Sequence, residues 1–167
     1  MLNIVRVLTS LLLVFICQNA VGAIATGILA VTANVGGATN CVLGGVRNII
    51  FPNYSPLDSN PDYATGSITV TCVANLPYDI GINKGQSADA TETQRMLLRI
   101  GGKQKLRYAL FQEGNHVHNY GTIIGQNTLH QLGTGLPQVI TVYGEIPINQ
   151  RVEVGPYSDT VTIIVTF

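Results

Sequence analysis

The sequence predicts an all-β protein, an antiparallel sandwich, on three observations. Apolar and polar residues alternate with period two in several separate runs, turn residues fill every gap between those runs, and Thr and Val are abundant while Trp is absent. The 18 Gly and seven Pro supply the tight turns that short strands need. With 46% apolar and 11% charged residues in 167, the chain has enough apolar surface for one packed domain and does not have the composition of a disordered one. Nine Lys plus Arg balance nine Asp plus Glu, so no net field draws it onto nucleic acid or anionic lipid.

Taken in order, residues 1–23 carry one cation, Arg6, then an apolar stretch Val7–Ile16, and end in the small residues Val21-Gly22-Ala23. An apolar core of about ten residues is too short to span a bilayer and fits a secretory signal peptide cleaved after Ala23. Export is therefore expected. Between Gly27 and Gly36, Leu29, Val31, Ala33 and Val35 share one face of a strand, with Ile28, Ala30, Thr32 and Asn34 on the other. The non-periodic run Gly36-Gly37-Ala38-Thr39-Asn40 separates that strand from everything after it. It reads either as a first strand of its own domain or as a strand destined for the open sheet edge of another molecule.

Further along, Ile68, Val70 and Cys72 alternate with Ser67, Thr69 and Thr71, a half-buried strand. Tyr78, Ile80 and Ile82 follow after Pro77, and Leu106, Tyr108 and Leu110 alternate with Lys105, Arg107 and Ala109. Residues 139–143 and 157–167 complete the set, the last presenting Val161, Ile163, Val165 and Phe167 on one side. Ala88 to Leu98 is the one candidate for a short helix. Five cations, Arg95, Arg99, Lys103, Lys105 and Arg107, fall between Glu92 and Glu113 and read as a solvated outer face that discourages edge pairing.

Of the three cysteines, Cys17 leaves with the signal peptide, and Cys41 and Cys72 remain. An even count in an oxidising compartment predicts one disulfide, closing a loop of about 30 residues for about 3 to 4 kcal/mol. His116 and His118 lack a third metal ligand, and His130 lies in a separate turn-rich stretch. A Gly-x-Ser-x-Gly elbow, a phosphate loop and paired-carboxylate spacing are all absent, and Ser158-Asp159 reads as the polar entry to a strand. The expectation is a protein that is not an enzyme and uses no cofactor.

Two C-terminal blocks carry a family resemblance: Ile140-Thr141-Val142-Tyr143-Gly144-Glu145-Ile146-Pro147, and Gly155-Pro156-Tyr157-Ser158-Asp159-Thr160-Val161-Thr162. With Cys41, Thr69-Val70-Thr71-Cys72, Gln94-Arg95-Met96 and Leu106-Arg107-Tyr108-Ala109-Leu110-Phe111 upstream, the chain resembles the spore coat protein U domain of archaic chaperone–usher pilins, the Csu-type pili. The likeness runs from Thr26 to Phe167. It departs at Leu110-Phe111-Gln112-Glu113, where the family often has Leu-Tyr-x-Asp, and is weak over 116–131.

The resemblance implies an incomplete immunoglobulin-like antiparallel β-sandwich with an N-terminal donor strand. Its expected divisions are a signal peptide over 1–23, a donor extension over 24–36 and a domain over 37–167. Leu29, Val31, Ala33 and Val35 become the inserted residues, and Val161, Ile163, Val165 and Phe167 the strand bordering the groove and pairing with a chaperone. Implied partners are a periplasmic chaperone, an outer-membrane usher and neighbouring subunits in a head-to-tail polymer, and the implied role is surface attachment and biofilm formation. A secreted coat or matrix protein built on the same domain is an alternative. A tip adhesin is a weaker one, since such subunits carry an extra N-terminal domain.

Overall fold

The computed structural model describes residues 40–167, so the signal peptide and the 24–36 segment, with Leu29, Val31, Ala33 and Val35, lie outside the described residues. Those described form nine strands and no helix. They are β1 (Cys41–Arg47), β2 (Asp62–Cys72), β3 (Pro77–Ile82), β4 (Arg95–Arg99), β5 (Lys105–Phe111), β6 (Leu129–Leu132), β7 (Pro137–Ile146), β8 (Tyr157–Ser158) and β9 (Ile163–Thr166). Every pairing is antiparallel. One sheet has six strands in the order β1-β2-β7-β5-β4-β8, the other three in the order β6-β3-β9. An all-β antiparallel fold is what the alternation predicts.

The alternation also assigns the faces. Ile68, Val70 and Cys72 on β2, Leu106, Tyr108 and Leu110 on β5, and Val142 and Ile146 on β7 are buried, and Tyr78, Ile80 and Ile82 on β3 meet them from the other side. The longest register, β2 with β7, runs from Asp62 opposite Ile146 to Thr71 opposite Pro137. Cys41 and Cys72 face each other at the start of β1 and are joined by a disulfide, as their count predicts.

Three readings are corrected. Ala88 to Leu98 forms no helix: its second half is β4, held between β5 and β8, because ladder bonds to Leu106 and Tyr108 outweigh a weak helical preference. The run 157–167 is two strands in two sheets: Tyr157 and Ser158 pair with β4, whereas Ile163–Thr166 pair with β3. The break falls at Asp159, whose side chain binds away from either ladder.

Arg95, placed by its charge with the solvated cations, is the third correction, because it is 0% exposed. Its guanidinium donates to the carbonyls of Asn83 (2.9 Å), Ile82 (2.8 Å), Tyr120 (2.8 Å) and Glu92. Burial lowers its pKa, while the fields of Tyr108, Glu92 and Asp159 oppose that. Arginine nevertheless stays charged and keeps its donors. One side chain on β4 of the large sheet thus ties together the end of β3 in the small sheet and the loop leading to Tyr120. Arg95→Met should lower the stability of the folded chain by about 3 kcal/mol or more, since it strands several buried carbonyls at once. Chemical denaturation of the two proteins measures this, and a loss under about 1 kcal/mol would remove Arg95 as a link between the sheets.

Candidate functional site

The small sheet does not reach across the large one. Beside β9, the last strand of its sheet, an open cleft of about 1030 Å³ runs into the interior. Its floor consists of core side chains, among them Ile68, Ile82, Leu106, Tyr108, Leu110 and Val142. One wall is the stretch from Val46, at the end of β1, to Tyr54, the other the stretch from Val152 to Ile163 that leads into β9. The floor is largely apolar, while the walls also contribute polar residues such as Asn48, Asn53, Asp159 and Thr160, and among the described residues no strand pairs with the outer side of β9.

Two glycines shape the first wall. A Cβ on Gly144 would stand 2.7 Å from the Phe51 ring, and one on Gly66 would stand 2.5 Å from the carbonyl oxygen of Arg47. The chain after β1 therefore crosses close over β2 and β7 and lays Ile49 and Phe51 onto the core, with Phe51 meeting the Tyr108 ring edge-on at 6.3 Å. Tyr54 anchors the far end of this wall, its hydroxyl accepting from the backbone N–H of the buried Gln150 (2.7 Å).

Asp159 holds the second wall. Its Oδ1 accepts from the N–H groups of Gln86 (2.9 Å) and Thr160 (2.8 Å), and its Oδ2 accepts from the Tyr108 hydroxyl (2.7 Å). Gly85, at φ +86°, leaves the carboxylate its space, because a Cβ there would lie 2.0 Å from Oδ2. Burial, with Asp159 alongside, pushes the Tyr108 hydroxyl well above the usual tyrosine range, so it remains a neutral donor. The sequence predicts a strand-entry role for Asp159, whereas its side chain joins cleft wall to cleft floor.

The candidate site residues of the sequence thus divide. Val161 and Ile163 line the cleft, and Val165 packs half-buried against the core from β9. Phe167 follows β9 and is 57% exposed. Cys41 and Cys72 are bonded at the opposite edge of the large sheet, and the donor residues lie outside the described ones. Sequence reasoning missed Ile49, Phe51, Tyr54, Val152 and Asp159. The apolar residues among them sit in stretches rich in Asn, Pro and Gly that have no period to betray a wall.

The histidines stand apart from the cleft. His116 packs among Tyr63, Phe111 and Tyr143 with ring centroids 4.7 to 6.2 Å away, His118 pairs with Glu113 (2.6 Å) and His130 with Asp79 (3.2 Å). Among the described residues, no group of three or more His, Cys, Asp or Glu is arranged to hold a metal ion.

Comparison with known proteins gives three likenesses. The family model described as the Spore Coat Protein U domain matches residues 25–164. Protein U of Myxococcus xanthus is 33% identical over 158 residues, a match covering 89% of this chain and 88% of that protein. Among solved structures, a chain of the chaperone–tip adhesion subunit pre-assembly complex from the archaic chaperone–usher Csu pili of Acinetobacter baumannii superposes with a TM-score of 0.57 at 22% identity. That match covers 77% of this chain and 40% of the other.

The cleft geometry predicts a clear asymmetry between two glycine positions. Gly144→Val should cost about 1 to 3 kcal/mol by driving Phe51 off the core. Gly45→Ala, where an added Cβ meets nothing within 4 Å, should change stability by less than about 0.5 kcal/mol. Thermal melts of both variants test this, and equal midpoints would mean the 46–54 wall is not seated on Gly144.

Proposed function

The chain belongs to the Spore Coat Protein U domain family, and on that premise we propose that it is a structural pilus subunit that polymerises by donor-strand exchange. A signal peptide over 1–23 directs export, a periplasmic chaperone fills the cleft first, and at an outer-membrane usher the 24–36 segment of the next subunit takes the chaperone's place. The resulting fibre supports surface attachment and biofilm formation. The chain performs no catalysis and uses no cofactor in this role.

One observation carries the reading: the core is open along a cleft whose wall is a backbone edge. An extended segment laid there adds main-chain bonds to β9 while its alternate side chains reach the floor, which is strand addition to a sheet edge. Leu29, Val31, Ala33 and Val35 have the required spacing of two. Burying the three larger ones contributes on the order of 5 to 9 kcal/mol, against which the ordering of the segment must be set. Each subunit then donates to one neighbour and accepts from another, a heterologous contact that grows a fibre.

The alternative is a secreted coat or matrix protein, favoured by the near-full-length match to Protein U and by the family's name. Val31→Asp separates donation from folding. The variant should still accumulate as a folded subunit whose cleft accepts a strand, yet fail to enter its neighbour, so electron microscopy and boiling-sensitive ladders show fibres lost. Wild-type cells without fibres, or a variant with undiminished yield, would reject the pilus reading.

A further inference from the structure

Two cations of β5, Lys105 and Arg107, share a shallow depression of about 340 Å³ with Arg151, which comes from the chain after β7. Met96, Asn149, Gln150 and Val152 complete its lining, which holds no Asp or Glu. One side chain builds this convergence. The ladder between β5 and β7 stops where Ala109 faces Glu145, so Arg107 has Met96 opposite it on β4 and no partner on β7. Gln150 takes the vacant place. Its buried amide accepts from the Arg107 backbone N–H (2.7 Å) and donates to the carbonyls of Arg107 (3.0 Å) and Pro147 (3.0 Å). Asn149, at φ +63°, turns the chain into position, a conformation that asparagine tolerates better than most residues, and Arg151 follows at the rim.

The same Gln150 oxygen accepts from Arg107 Nε (3.3 Å), which orients the guanidinium. Both Nη groups of Arg107, and the whole guanidinium of Arg151, have no hydrogen bond or ion pair among the described residues. The neighbouring acids are occupied or stand aside. Asp89 holds Lys105 (2.6 Å), Glu153 pairs with Arg99 (3.6 Å), and Glu145, opposite Ala109, pairs with neither arginine. Cations gathered in one hollow repel each other until an anion enters, and a hollow lined by one sign of charge concentrates that anion.

Two guanidinium forks match the paired oxygens of a carboxylate, sulfate or phosphate. The rest of the lining chooses among their carriers. Half-buried Met96 and Val152 offer an apolar floor, and the exposed Asn149 amide can exchange hydrogen bonds with a hydroxyl. A charged group on a hydroxylated ring finds a counterpart for each of its parts, whereas free phosphate finds one only for its charge. A nucleic acid strand is held by a row of phosphate contacts, and this chain, with zero net charge, offers one hollow. We propose that the depression binds a carboxylate-bearing sugar unit of an acidic polysaccharide, with Arg107 and Arg151 on the carboxylate and Asn149 on a ring hydroxyl. The inference takes a cell-surface location from the reading above and is independent of donor-strand exchange. Repeated along assembled material, a weak single contact would add up to firm attachment to such a polymer.

Fluorescence anisotropy of a labelled oligogalacturonate, titrated with the full chain recovered from the cell surface, tests this. Binding should be saturable, absent for labelled neutral dextran, and weaker by about tenfold or more in Arg107→Gln combined with Arg151→Gln. Arg151→Gln alone, which removes no bond of the fold, should weaken it by about threefold. Lys84→Gln, at an exposed cation outside the depression, should leave it unchanged. Thermal melts of the double variant should match those of the unmodified chain, since Gln150 keeps its bonds to the backbone of residue 107. Oligogalacturonate that fails to bind, or that binds the arginine variants as well as the unmodified chain, overturns the site. Equal binding of dextran overturns it too, and single-stranded DNA bound more tightly than oligogalacturonate would make it a nucleic-acid site instead. Fibre formation is read separately by electron microscopy, so each of these results leaves strand exchange standing.

Discussion

The inner faces of the two sheets are unequal: six strands present one broad apolar surface, and β6, β3 and β9 cover only part of it. That mismatch sets the rest of the structure. Ile68, Leu106, Leu110 and Val142 belong to the core and also floor an open cleft. Uncovered apolar surface is costly in water, so the chain narrows the gap with what it has. The 46–54 stretch folds over Gly66 and Gly144 from one side, and the 152–163 stretch is drawn in by Asp159 from the other. Among the described residues neither stretch pairs with β9, whose outer edge stays open between them.

Holding an incomplete sandwich at its correct separation requires links that do not depend on filling it. Arg95 is such a link, spending its donors on the carbonyls of Ile82, Asn83, Glu92 and Tyr120. The disulfide is another, at the far edge, where it fixes β1 to β2 close to the point at which the chain arrives from residues 24–39. None of Arg95, Cys41 and Cys72 lines the cleft, so these links hold the sheets together without filling the open interior.

Much of this was legible in the sequence, and what was hidden was hidden for physical reasons. The faces of β2, β3 and β5 follow from period two because each strand is buried on one side only. The pairing of Cys41 with Cys72 follows from counting. Arg95 could not be placed by its charge, since what buries it is a ring of carbonyls contributed by Ile82, Asn83 and Tyr120, whose convergence is a property of the fold. The run 157–167 presents Val161, Ile163, Val165 and Phe167 at a spacing of two and still divides, because one carboxylate finds Gln86 and Tyr108 more than 50 positions away. The cleft itself, a shortage of strands, has no local signature. Only the family resemblance anticipated it.

A strand supplied by another molecule is the centre of the account, and one measurement reaches it directly. The full chain carrying Val31→Cys and Ile163→Cys is oxidised during assembly and run on a non-reducing gel. Donation between copies predicts a ladder of linked chains that collapses to a single band on reduction. A link confined to one chain, giving only a compact monomer, would mean that the segment fills its own cleft and that no partner is needed.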